Sequence, residues 1–255
     1  MRCGIIGCGA IANTIVNLVL KQDIKKIKLK YFYDRNFRKA KKLANLTNGT
    51  AVKKVEEMFN GVDLIIESAS QEAVKEIVPN IISRGIDVLI MSVGALLDEK
   101  VRRRLIKESR ESGANIYIPS GAIIGLDGVK AASLGKIKEI KLITRKSPTS
   151  LGVKTKKKEV VFKGKSSEAV KKFPVNINVA AALSLASGID ADVKIIADPE
   201  VEHNIHEVHV KGDFGEFKSI TKNTVCELNP KTSVLAAYSA VTLLKILSDN
   251  IRVGT

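Results

Sequence analysis

Gly7 and Gly9 stand two apart in the run Ile5-Ile6-Gly7-Cys8-Gly9-Ala10-Ile11-Ala12. A short apolar stretch precedes them, and Ile11, Ile15, Leu18 and Val19 follow at helical spacing. This is a Gly-x-Gly-x-x-Ala turn between a strand and a helix, and each small residue has its own job. Gly7 permits the tight turn, Gly9 leaves its Cβ position open to a diphosphate, and Ala12 lets the helix lie close to the sheet. Ala10 and Ile11 open that helix, where free N–H groups and the positive end of the dipole favour an anion. Asp34 closes the next apolar stretch, Tyr31-Phe32-Tyr33, and is placed to accept hydrogen bonds from ribose hydroxyls. A bare glycine turn is common at strand ends, but the strand, the helix and the acid together predict a dinucleotide site. Asp34 favours NAD, because its charge opposes a 2′-phosphate. Arg35 follows at once and can pair with that phosphate, so NAD is expected to be preferred and NADP accepted.

The second candidate for chemistry is histidine. All three histidines fall within Glu202-His203-Asn204-Ile205-His206-Glu207-Val208-His209. Strand periodicity sends His203 and His209 to one face and His206 to the other, so the cluster is not read as a metal site. His206 shares its face with Val208 and Val210 and is the inward one; on periodicity alone a hydrogen-bonded core histidine fits that pattern better than a catalytic group does. Its unperturbed pKa of about 6.5 suits an oxidoreductase that handles an amine or a carbonyl.

The elements that must position these residues change character along the chain. Strands at Cys3–Ile6, Lys28–Tyr33, Thr50–Val52, Val62–Glu67, Asp87–Met91 and Asn115–Ile118 alternate with helices, among them Phe37–Leu46, Gln71–Arg84 and Asp98–Ser112. That alternation predicts a doubly wound parallel sheet of the Rossmann type with its ligand beyond the strand ends. Those ends are small and polar: Glu67-Ser68-Ala69-Ser70, Ser92-Val93-Gly94-Ala95 and Ser120-Gly121-Ala122-Ile123-Ile124-Gly125. Ser68 and Ala69 are therefore expected to border the cofactor. After Gly125 the pattern turns to strands at Glu139–Thr144, Glu159–Phe162, Val193–Ala197, Ile205–Val210 and Phe217–Thr221. Helices at Ser167–Phe173 and Asn176–Ser187 lie among them. The fold class expected is α/β, with a smaller α+β domain built on a mostly antiparallel sheet. Residues 1–119 form the dinucleotide-binding domain and 120–230 the catalytic, substrate and dimerisation domain. A last helix, Thr232–Ser248 within 231–255, is expected to pack back on the first domain.

Composition narrows the class. The 255 residues are 45% hydrophobic, enough for a real core, and contain no apolar run long enough for a membrane span. The N-terminus leads straight into the first strand, so no signal peptide is expected, and Cys3, Cys8 and Cys226 are too few and scattered for a disulfide framework. A reducing cytoplasm is expected. The net charge is +15, but only 4% of residues are aromatic and the lysines are dispersed. A solvated surface that attracts anions is favoured over a nucleic-acid site.

Four segments carry a family resemblance: Ser120–Gly128, Thr144-Arg145-Lys146, Phe173–Ala181 and Asn204-Ile205-His206-Glu207. In this order they resemble the L-aspartate dehydrogenase family, over essentially the whole chain. The resemblance implies NAD- or NADP-dependent oxidation of L-aspartate to iminoaspartate, which hydrolyses to oxaloacetate and ammonia or feeds quinolinate and NAD biosynthesis. It implies His206 as the catalytic histidine, Ala122 and Asn178 as cofactor contacts, and a homodimer. Arg145 or Lys146 is left to grip a substrate carboxylate. The alternatives are an oxidoreductase of homoserine dehydrogenase or dihydrodipicolinate reductase type, and a non-enzymatic NAD-binding sensor.

Overall fold

The computed structural model describes residues 1–174, 177–226, 229–251 and 253. The chain divides into two compact units. One is Met1–Pro119 with the final helix from Ala237 onward; the other holds Ser120–Ala236.

The first unit runs β1 (Arg2–Ile6), α1 (Ala10–Lys21), β2 (Lys28–Tyr33), α2 (Phe37–Thr47), β3 (Thr50–Ala51), β4 (Leu64–Glu67), α3 (Gln71–Glu76), α4 (Val78–Ile82), β5 (Asp87–Ile90), α5 (Glu99–Ser112) and β6 (Ile116–Tyr117). Its sheet has the order β3-β2-β1-β4-β5-β6, with every pairing parallel. The apolar, both-faces-buried sequence of β4, Leu-Ile-Ile-Glu, is what a parallel strand covered by helices requires. Strand order reverses between β1 and β4, which opens a crevice at their carboxyl ends. Asp98 caps α5 by accepting from Lys100 N and Val101 N, and Gly113 ends it at φ +77°.

One expected element divides in two. The helix read over Gln71–Arg84 breaks at Ile77 into α3 and α4. Pro79 is the cause: it lacks an N–H and its ring clashes with the carbonyl four residues back. The apolar face through Val74, Val78, Ile81 and Ile82 continues across the break, and all four are fully buried.

The second unit runs α6 (Leu126–Ala132), β7 (Ile137–Lys146), α7 (Pro148–Leu151), β8 (Glu159–Lys165), α8 (Ser166–Lys172), α9 (Asn178–Ser187), β9 (Asp192–Ala197), β10 (Asn204–Gly212), β11 (Gly215–Asn223), β12 (Val225–Cys226) and β13 (Asn229–Ser233). Its five-stranded sheet has the order β11-β10-β7-β9-β8; β7–β9 is parallel and the other three pairings are antiparallel. Burial alternates along β10 from Asn204 to Val210, the period-two pattern of a strand with one face on a core. That core joins Leu142, Val193, Ile195, Val208 and Val210 to Ala180 and Leu183 of α9 and Val129 of α6. Helix α6 falls between the Ser120–Gly125 loop and the strand expected from Glu139, a stretch to which the sequence reading assigned no element. The expected start of α9 at Asn176 lies outside the described residues. The last helix, α10 (Val234–Ser248), begins two residues later than expected, because β13 occupies the Asn-Pro stretch read as its lead-in.

Candidate active site

In the first unit, β1 delivers the chain into Gly7 at φ +87°, and a Cβ there would lie 2.5 Å from Ala69 Cα. No other residue fits, because the left-handed backbone and the close approach both demand glycine. Gly9 is the opposite case: nothing lies within 4 Å of its Cβ position, and it faces the crevice. It also caps α1 without a side chain, and the first turn of that helix carries no acid. The leading N–H groups, at Ala10 and Ile11, are those that an α-helix leaves without intrahelical partners. A cradle that a side chain would fill, at an uncapped positive helix end, fits a diphosphate.

A cavity of ≈ 350 Å³ at the crevice is lined by Gly7, Gly9, Asp34, Arg35, Ser68 and Ala69, with Lys39 and Ser70 beside them. Six of the expected cofactor residues are thus gathered in one place. Ala10 and Ile11 lie outside the lining and belong to the helix end. Asp34 has a structural duty as well: Oδ2 accepts from Cys8 N at 2.8 Å and Oδ1 from Asn36 N at 2.7 Å. Each oxygen keeps a further lone pair, so the carboxylate braces the glycine turn and still has acceptor capacity for a ribose. Ser68 Oγ donates to Gly7 O at 2.8 Å and closes the other side of the turn. Burial pushes the Cys8 thiol up to about 12, with the Asp34 charge adding to it, so this sulfur stays protonated. Cys3, Cys8 and Cys226 form no disulfide.

In the second unit, His206 is 2% exposed on the inward face of β10, paired across the sheet with Thr144 on β7 and Thr221 on β11. Its Nδ1 lies 3.0 Å from Thr144 Oγ1. In the tautomer that serves a base, Nδ1–H donates to this hydroxyl and Nε2 holds the free lone pair. Burial depresses the His206 pKa to about 3, and the charge of Lys146 adds to the effect. Lys146 is itself buried at the end of β7 and is lowered to about 8 by desolvation. A substrate carboxylate placed beside them would act in the opposite sense and raise both groups. Thr221 Oγ1 donates to Ala122 O at 3.0 Å, and Asn223 Nδ2 to the same carbonyl at 2.9 Å. Strand β11 thereby holds the Ala122 loop beside the histidine. A Cβ on Gly121 would lie 4.0 Å from Val179 Cγ1, so the loop also borders the first turn of α9, where Asn178 stands half-buried.

The pair Arg145 and Lys146 is separated by the pleat. Arg145 is paired opposite Ile205 on the outer face, 3.6 Å from Glu207, whose carboxylate also meets Lys218 at 3.3 Å. Lys146 is on the side of Thr144 and His206. His203 is exposed and precedes β10, and His209 is partly exposed on the outer face. Among the described residues, no group of three or more His, Cys, Asp or Glu is arranged to hold a metal ion, and no helix is long and apolar enough to cross a membrane.

Thr144, Thr221 and Asn223 escaped the sequence reading as site residues, because their value depends on strand register. Replacing Thr144 with Val keeps the shape and removes the hydroxyl. It should lower kcat about 2- to 10-fold, the worth of one net hydrogen bond, with cofactor affinity unchanged. Steady-state kinetics with a cofactor titration checks this; an unaltered kcat would show that Thr144 does not orient the ring.

An open parallel sheet with a glycine turn, an acidic strand end and a diphosphate cradle defines an NAD(P)-binding oxidoreductase. Residues 7–119 match the family described as homoserine dehydrogenase, NAD binding domain, and residues 127–247 match aspartate dehydrogenase, C-terminal. The chain is 56% identical to an L-aspartate dehydrogenase of Methanothermobacter thermautotrophicus, over 100% of this chain and 99% of the relative. It is 45% identical to one of Methanococcus maripaludis over the full length of both. The crystal structure of aspartate dehydrogenase from Thermotoga maritima superposes with a TM-score of 0.82 at 33% identity, covering 100% and 99% of the two chains. The chain belongs to the L-aspartate dehydrogenase family.

Proposed function

We propose that this protein catalyses the NAD(P)-dependent oxidative deamination of L-aspartate, with His206 as its acid–base group. When bound, with Gly7, Gly9 and Asp34 holding its dinucleotide, the oxidised cofactor would supply an acceptor for the hydride of the substrate Cα. His206 Nε2 takes the proton that the substrate ammonium must lose before its C–N bond becomes an iminium. After releasing that proton to solvent, His206 takes one from the water that adds to the iminium carbon and passes it to the nitrogen; the carbinolamine hydroxyl then loses its proton as the C–N bond breaks, giving ammonia and oxaloacetate. Lys146 faces the same side and supplies positive charge for a substrate carboxylate; Arg145, turned outward to Glu207, is not given that role. The observation that carries the reading is the inward His206 with Nδ1 fixed by Thr144, in a chain matched end to end by L-aspartate dehydrogenases.

For the cofactor, the Asp34 carboxylate at the cavity wall supports a preference for NAD. Arg35 and Lys39 on the same wall support acceptance of NADP. The test is the appearance of reduced nicotinamide with L-aspartate or L-homoserine as substrate and NAD or NADP as acceptor. Turnover of L-aspartate with kcat/KM higher for NAD is expected. Turnover of L-homoserine alone would replace this reading with the homoserine dehydrogenase type.

A further inference from the structure

Glu67 is the last residue of β4, and it is completely buried. Among the described residues it has no cationic partner. Instead, four donors converge on its carboxylate. Oε1 accepts from Ala69 N at 2.8 Å, from Ser70 N at 3.0 Å and from Ser92 Oγ at 2.9 Å, while Oε2 accepts from Ser92 N at 3.0 Å. Three of the four are backbone N–H groups, which have no acceptor capacity, and none of the four interactions asks the side chain to donate. The geometry is that of an ionised carboxylate. Burial raises its pKa, with these four hydrogen bonds opposing the rise. Holding such a group without a counter-charge costs solvation energy, so packing alone would be better served by an apolar side chain.

What the four bonds hold in place is the floor of the crevice. Ala69 and Ser70 line the cavity, and Ser92 opens the loop after β5. Ala69 is also the residue against which Gly7 packs with no room for a Cβ, and Ser68 donates to the Gly7 carbonyl. Moving Ala69 upward would press on the glycine turn; letting it fall would open the cradle.

We propose that Glu67 is a positioning residue for the cofactor: its carboxylate sets the height of the Ser68–Ser70 loop beneath the glycine turn and ties that loop to the one after β5. The role deepens the dinucleotide reading of this cleft and rests on it. Glu67 acts through Ala69 and Gly7 and takes no part in the chemistry of the substrate.

Glu67→Gln has the same shape but turns an NH2 group toward donors, which strands at least one of them. In the full-length protein, the Kd for NADH, read by nucleotide fluorescence, should rise about tenfold or more, the effect of losing a hydrogen bond to a charged group. The KM for the cofactor should rise with it, while kcat and the KM for L-aspartate stay within a few-fold and the thermal midpoint stays close to that of the parent. A folded Glu67→Gln protein that binds NADH as tightly as the parent would overturn the proposal while leaving the cofactor reading intact. Failure of the parent to bind NADH would sink the cofactor reading, and this proposal with it. Ser92→Ala removes one donor and keeps the other three, so it serves if Glu67→Gln does not fold. It should weaken NADH binding about 2- to 10-fold, and unchanged binding would count against the proposal.

Discussion

His206→Ala is expected to lower kcat for L-aspartate oxidation by ~10²–10⁴, the usual worth of a positioned acid–base group, with NADH affinity retained. The argument rests on which nitrogen is committed. Nδ1 is taken by Thr144, and Nε2 has no hydrogen-bond partner among the described residues, so one nitrogen is anchored and the other is left for the substrate. Kinetics with a separate NADH titration distinguishes loss of chemistry from loss of binding; full turnover would remove His206 from the mechanism. The substitution has a stability signature too. The folded pKa of about 3 lies below the ordinary 6.5. Between these values the unfolded chain binds a proton that the folded chain does not, so the parent loses stability as pH falls through this window. The alanine variant lacks that contribution and should lose less between pH 6.5 and 3 in denaturant titrations at a series of pH values.

Gly7→Ala should strongly destabilise the first unit. Left-handed backbone costs an L-residue about 1–2 kcal/mol, and displacing the Ala69 backbone adds about 1–3 kcal/mol. Together these give a loss of about 2–5 kcal/mol on unfolding, accompanied by loss of NADH binding. Gly9→Ala provides the contrast, because its new methyl meets nothing in the protein. Stability should hold within about 0.5 kcal/mol while the methyl enters the space left for the diphosphate. Weakening of NADH binding by about tenfold or more is expected, on the scale of overpacking. Denaturant unfolding and NADH fluorescence on both variants check the pair. Equal stability losses at the two positions would contradict the division of labour between the glycines.

The sequence was most legible where one residue's role follows from its own neighbours. Gly7, Gly9 and Asp34 could be assigned because a strand, a turn and a helix succeed one another within a few residues. His206 could be turned inward because Val208 and Val210 alternate with polar residues on a single strand. What escaped depends on pairing at a distance. Thr144 meets His206 only through the register of β7 with β10, 62 residues apart in the chain. Ser92 reaches Glu67 from the loop after β5, and nothing local to either marks the bond. Helix α6 is short and contains Gly128, which weakens its helical signal. Pro230 suggested the start of a helix but lies in β13. Pro79 lies inside the span read as one helix, because the apolar face of α3 and α4 continues past it.

The most direct test of the central claim uses L-aspartate deuterated at Cα as substrate for the full-length protein. The account predicts that the deuterium appears in the reduced nicotinamide, with one oxaloacetate and one ammonia formed for each cofactor reduced. Reduction of the cofactor without transfer of the label, or none with L-aspartate at all, would contradict it.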